Sequence, residues 1–107
     1  MYGFKEVDAE QLKAWLDQGE VQLIDVRTPA EVARGIIPGA RALPLAVLPM
    51  SLDQVDKSRP VVFYCLSGAR SAQAAAFVAN QGLGEAASLR GGINAWMRHG
   101  FPVVAPQ

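Results

Sequence analysis

Val61-Val62-Phe63-Tyr64-Cys65-Leu66-Ser67-Gly68-Ala69-Arg70-Ser71 is the stretch on which the fold turns. Four apolar residues after Pro60, two β-branched and two aromatic, read as a strand. With no polar alternation, it suits the centre of a parallel sheet, covered on both faces. A short loop from Cys65 then leads directly into a helical pattern, about Ser71 to Gln81, closed by Gly82. Its Ala72, Ala75, Ala76 and Ala79 are expected to let this helix pack close to the sheet.

The same grammar continues on both sides. Upstream, Asp8-Ala9-Glu10-Gln11 reads as a capping box, followed by Leu12, Trp15 and Leu16 at helical spacing and a stop at Gly19. Val21 to Val26 reads as a strand. Thr28-Pro29-Ala30-Glu31 is a second capping signature, with Pro at the first helical position and Gly35 as the end. Pro38-Gly39 marks a turn and Ala42-Leu43 a short extended piece. The segment from Leu45 to Val55 is predicted to be an irregular helical connection, because Pro49 cannot sit in one regular helix. Downstream, Ala86 to Leu89 forms a weak strand, Gly91-Gly92 a tight turn, and Ile93 to His99 a last helix. Strands alternating with helices define an α/β domain with a mainly parallel sheet.

The chain has 107 residues, half of them hydrophobic, which is enough for one small core without staples. Ten Lys and Arg balance ten Asp and Glu, so no overall basic field draws in nucleic acid or an anionic membrane. The segment from Met1 to Lys5 lacks the apolar stretch of a signal peptide, and no apolar run is long enough to span a bilayer. A soluble, cytoplasmic protein is expected. One Cys and one His are too few for a soft metal site, an internal disulfide or a CxxC redox pair. No metal and no cofactor are expected. What remains is a free thiol, either buried and inert or exposed and reactive.

In an open α/β sheet ligands bind beyond the carboxyl ends of the strands. Asp25-Val26-Arg27, the run from Cys65 to Arg70, and Arg90-Gly91-Gly92 all fall at strand ends, and right-handed crossovers place them on one edge. In the turn after Cys65, backbone N–H groups can converge into an anion-binding nest, reinforced by the start of the following helix. Both favour thiolate over thiol. Gly68 permits a positive φ, Ala69 is small, Arg70 supplies a fixed charge, and Ser71 is placed to cap the helix while its hydroxyl points to the loop centre.

Each of these residues has a plainer reading. A lone Cys at the end of an apolar strand is often only a small buried hydrophobe; here Gly68, Arg70 and Ser71 in one short loop outweigh that. Asp25 is expected to accept hydrogen bonds from loop amides and brace the cysteine loop, without moving protons. Arg27 either lines the cleft or pairs with a surface carboxylate such as Glu31; Arg90 carries the same two readings. His99 lies where an imidazole favours the helix dipole, and Trp15 and Trp96 belong to apolar helix faces.

The chain resembles the single-domain rhodanese (sulfurtransferase) family almost end to end. The resemblance rests on four motifs in order: Leu23 to Arg27; Glu31 with Gly35-Ile36-Ile37-Pro38-Gly39-Ala40; Cys65 to Ser71; and Gly91-Gly92-Ile93-Asn94-Ala95-Trp96. It implies one rhodanese domain over residues 1–107, a three-layer fold with helices on both faces of the sheet, and a persulfide-forming Cys65. It also implies that the loop formed by Leu66, Ser67, Gly68, Ala69 and Arg70 cradles the outer sulfur. The family often has His where this chain has Ile36, which bears on local hydrogen bonding rather than chemistry.

The implied activity is double displacement, in which sulfane sulfur passes from thiosulfate or a low-molecular-weight persulfide to Cys65. From there it goes to a thiol, cyanide or a sulfur-carrier protein. Phosphate-ester hydrolases and arsenate reductases of related fold have a longer spacing between cysteine and arginine. The four residues from Leu66 to Ala69 make a smaller cradle, tight for a phosphoryl group. Two other classes remain open: a binding module that keeps the fold without catalysis, whose usual mark, loss of the cysteine, is absent; and a redox sensor, which would need an external resolving thiol.

Overall fold

The computed structural model describes residues 4–106. In chain order the elements are β1 (Lys5–Val7), α1 (Ala9–Asp17), β2 (Gln22–Asp25), α2 (Pro29–Val32), β3 (Arg41–Ala42), β4 (Val61–Tyr64), α3 (Ala69–Asn80), β5 (Ala86–Leu89) and α4 (Gly92–Arg98). Between β3 and β4 run two 3-10 turns, Leu45–Met50 and Leu52–Gln54. This is the irregular connection expected from Pro49.

Both capping boxes form as their sequences dictate. The Gln11 amide donates to Asp8 Oδ1 at 2.8 Å, and the Asp8 amide to Gln11 Oε1 at 3.1 Å. Thr28 and Glu31 make the equivalent pair at the start of α2. Each cap stabilises its helix by about 1 kcal/mol.

The strands lie in the order β1-β5-β4-β2-β3, and every pairing within the sheet is parallel. The sheet is thus wholly rather than mainly parallel. Strand β4 sits at its centre and all four of its residues are buried. Alternate side chains serve opposite faces. Val62 and Tyr64 join Leu12 of α1 and Ile93 and Trp96 of α4 in one core, while Val61 and Phe63 join Ala74, Ala75 and Val78 of α3 in the other. Three layers result. Each large apolar side chain fully buried this way contributes roughly 1.5–3 kcal/mol.

Three expectations need correction. Strand β1 was not expected: Lys5 and Glu6 are exposed and only Val7 is buried, so an edge strand of three residues leaves no hydrophobic alternation to read. Helix α3 begins at Ala69, not near Ser71. Its buried stripe is Ser71, Ala74, Ala75 and Val78. Of the four alanines expected against the sheet only Ala75 is fully buried, while Ala72, Ala76 and Ala79 are half-buried.

This order places the reversal of winding between β2 and β4. Asp25 at the end of β2 pairs in register with Tyr64, the residue before Cys65. The crevice beyond these two strand ends is where a doubly wound sheet offers a ligand site.

Candidate active site

Cys65 is 1% exposed, yet its sulfur is not surrounded by apolar groups alone. The Gly68 amide donates to Sγ at 3.1 Å and the Ser71 amide at 3.4 Å, and the thiol lies 3.5 Å from Ser71 Oγ. Gly68 stands at the N-cap of α3 with φ of 116° and has no side chain with which to cap it. The sulfur of Cys65 fills that role, accepting amides at the start of the helix that would otherwise lack partners. This is why α3 begins before Ser71. Ser71 is the third residue of the helix rather than its cap, and its hydroxyl also lies 3.2 Å from Gly68 O.

Burial is the largest single influence on the Cys65 thiol and pushes its pKa up. The Ser71 hydroxyl and the amides of Ser71, Gly68 and Ser67 together outweigh it, so the thiol pKa lies below the ordinary cysteine value. The sequence posed a choice between buried-and-inert and exposed-and-reactive. The structure shows a buried residue whose sulfur is met by donors.

Helix α4 supports the loop from the other side. The Ile93 amide donates to Cys65 O at 2.9 Å and the Asn94 amide to Leu66 O at 3.2 Å. That approach requires a bare backbone at Gly92: a Cβ there would meet Cys65 O at 2.5 Å. Leu66 and Ser67 form the exposed lip of the loop.

The charged residues are arranged differently from what their spacing suggested. Arg70 forms a two-pronged ion pair with Glu31, at 2.6 and 2.9 Å. The Arg70 guanidinium, aided by Thr28, holds the Glu31 carboxyl down to about 2 against a modest opposing effect of desolvation. Glu31 therefore caps α2 and ties it to α3 at once. Arg27 neither lines an open cleft nor reaches Glu31. It is 4% exposed and pairs with Asp25 at 2.7 Å, donates to Gly35 O at 2.7 Å and lies over the Tyr64 ring. Asp25, wholly buried, accepts the amide of Arg27 in its own loop at 2.9 Å, so it braces the β2–α2 turn and not the cysteine loop. The pair stiffens the floor next to the site. Arg90 lies on the exposed surface opposite Glu6, at 3.5 Å. Ile36 forms an antiparallel bridge with Val104, and the neighbouring Ile37 amide donates to the Tyr64 hydroxyl at 3.1 Å.

One residue of the site carried no signal in the sequence. Ser88, 1% exposed in the middle of β5, lies with its hydroxyl 2.7 Å from Ser71 Oγ. A serine amid Ala86-Ala87-Ser88-Leu89 reads as a tolerated polar residue in a weak strand; only β5 lying beside β4 brings it to the cysteine. A cleft of about 440 Å³ lined by Lys5, Trp15, Val21, Pro60 and Glu85 lies at the amino edge of the sheet, opposite this site.

Comparison with known proteins agrees with this geometry. Residues 8–99 match the rhodanese-like domain. The chain belongs to the rhodanese-like family. A sulfurtransferase from Allochromatium vinosum is 52% identical over 103 residues, covering 95% of this chain and 96% of that protein. The thiosulfate sulfurtransferase GlpE of Stutzerimonas stutzeri is 38% identical, covering 95% and 92%. In three dimensions a rhodanese-related protein from Thermoplasma volcanium superimposes with a TM-score of 0.87 at 27% identity, covering 94% of this chain and 98% of that one. The protein is a rhodanese-type sulfurtransferase. Among the described residues no helix is long and apolar enough to cross a membrane.

Proposed function

We propose that Cys65 is the sulfur carrier and that the loop from Leu66 to Ser71 binds the transferred sulfur, with residues 1–107 acting as one domain. The observation that carries this reading is the convergence of the Gly68 and Ser71 amides and the Ser71 hydroxyl on one sulfur atom. The Cys65 thiolate attacks the outer sulfur of a donor. In thiosulfate the sulfur–sulfur bond breaks and its electron pair leaves with sulfite; in a persulfide it leaves with a thiolate. Cys65 then holds a persulfide anion. A nucleophilic acceptor, either cyanide or a thiol, attacks the terminal sulfur and the Cys65 thiolate is restored. The donors around Sγ favour the thiolate over the thiol, so no partner base is needed. Preorganised amides stabilise the anionic sulfur at each stage. Asp25 and Arg27 act only as supports. Acceptors include small thiols and the cysteine of a sulfur-carrier protein.

Among donors, a low-molecular-weight persulfide is preferred to thiosulfate. Thiosulfate carries two negative charges, whereas Arg70, the only charged residue of the loop, is neutralised by Glu31.

The test is the intact mass after incubation with thiosulfate or glutathione persulfide, for the native protein and Cys65→Ser. The expected result is one added sulfur, removable by cyanide and missing in the variant. No added sulfur with either donor would overturn the assignment, as would equal loading of the variant.

A further inference from the structure

Ser88 is buried in a strand whose other residues are apolar, and among the described residues its hydroxyl has one hydrogen-bond partner, Ser71 Oγ at 2.7 Å. A hydroxyl offers one proton and two lone pairs. If Ser71 gave its proton to Ser88, the buried Ser88 proton would be left without an acceptor among the described residues, at a cost. The proton therefore runs from Ser88 to Ser71. That fixes the Ser71 proton to one of two remaining neighbours, Gly68 O at 3.2 Å or Cys65 Sγ at 3.5 Å, both in the cysteine loop.

The two choices match the two states of the sulfur. As a thiol, Cys65 donates to Ser71 Oγ and the Ser71 proton goes to Gly68 O. As a thiolate, the sulfur has nothing to donate and the Ser71 proton turns to it, while the Cys65 proton has left to water. In both states Ser88 donates into Ser71 and polarises the Ser71 hydroxyl as a donor.

We propose that Ser88 is a positioning residue for Cys65, its hydroxyl orienting the Ser71 proton toward the sulfur whenever the sulfur is anionic. This deepens the sulfur-carrier reading and rests on it. Ser88 touches neither the donor nor the sulfur and acts through Ser71 alone. The charges around Cys65 are Arg70 with Glu31 from α2, the Asp25–Arg27 pair after β2, and Arg98 of α4 close to Gly91. None of them contacts Ser88 through a hydrogen bond, so changing Ser88 leaves them in place.

The experiment is the rate of Cys65 alkylation by iodoacetamide against pH for the native protein, Ser88→Ala, Ser71→Ala and the double variant. Alkylation reads thiolate formation without any sulfur transfer. Ser88→Ala removes one oxygen from the interior and leaves Ser71 its other partners, so it is expected to fold; the unchanged fluorescence of the buried Trp96 checks this. Its alkylation midpoint is expected to rise by about 0.5, with alkylation about threefold slower below both midpoints. In the Ser71→Ala background the same change is expected to do nothing further. A Ser88→Ala profile that superimposes on the native one would overturn the proposal, as would an equal shift with and without Ser71. Loading of sulfur from thiosulfate, followed by mass in the same proteins, tests the carrier reading separately: its failure with a normal alkylation cycle would remove the carrier role and leave the Ser88–Ser71–Cys65 linkage standing.

Discussion

At the scale of single residues, the chemistry of Cys65 comes from its neighbours' donors rather than from exposure. The cysteine, the glycine and the serine that surround the sulfur were all legible, because a strand followed at once by a small-residue loop constrains where backbone amides point. Charge partners were not. Arg27 lies close to Glu31 in sequence and Arg70 lies 39 residues away, yet spacing alone cannot say which of them the carboxylate faces. The fold decides it: Arg27 turns inward to Asp25, and Arg70 takes Glu31. From this pairing follows a prediction about donors. Glu31→Gln keeps the capping box, since Gln serves at that position too, but frees the Arg70 charge. The ratio of kcat/KM for thiosulfate over glutathione persulfide is expected to rise about fivefold, equivalent to about 1 kcal/mol. Steady-state rates with both donors check it, and an unchanged ratio would show that this ion pair does not govern donor preference.

Among the elements, the four helices and the central strands follow from capping signatures and apolar runs, and those were readable. Strand β1 was not, because with two of its three residues exposed it is held by the ladder to β5 rather than by its own pattern. The start of α3 was misjudged for a related reason: its cap is a sulfur from the preceding strand, a partner outside the usual side-chain vocabulary. Among the described glycines, the first residue of helix α4 carries the strictest steric condition. With φ of 60° and the carbonyl of Cys65 against it, Gly92 has no room for a side chain. Gly92→Ala is expected to destabilise the protein by about 3 kcal/mol or more, through strain and a backbone clash together. Urea denaturation measures this. Gly19→Ala, at a positive φ but with nothing nearby, is the control and is expected to cost less.

For the molecule as a whole, the tie between α2 and α3 makes folding stability depend on acid. Glu31 titrates at about 2 in the folded protein against an ordinary value of 4.5. A carboxyl held lower in the folded state adds stability that is complete above the unfolded value and is lost as pH falls through the folded one. The melting temperature is therefore expected to decline between about pH 4.5 and 2, and to decline less steeply in Glu31→Gln; scanning calorimetry across that window decides it. Parallel courses for the two proteins would mean that other carboxylates dominate. The overall balance of charge, ten basic against ten acidic residues, was plain in the sequence, but this local dependence needed the folded neighbours.

The seclusion of Cys65 also bears on stoichiometry. It is the only thiol in the chain and only 1% of it meets solvent. A disulfide requires two sulfurs within about 2 Å, so two copies cannot join through it while the loop stays closed, and no second thiol within the chain can discharge a loaded atom. On the proposed carrier reading, a sulfur loaded on Cys65 waits for an acceptor from outside the chain, so its lifetime is set by the abundance of acceptors rather than by any clock within.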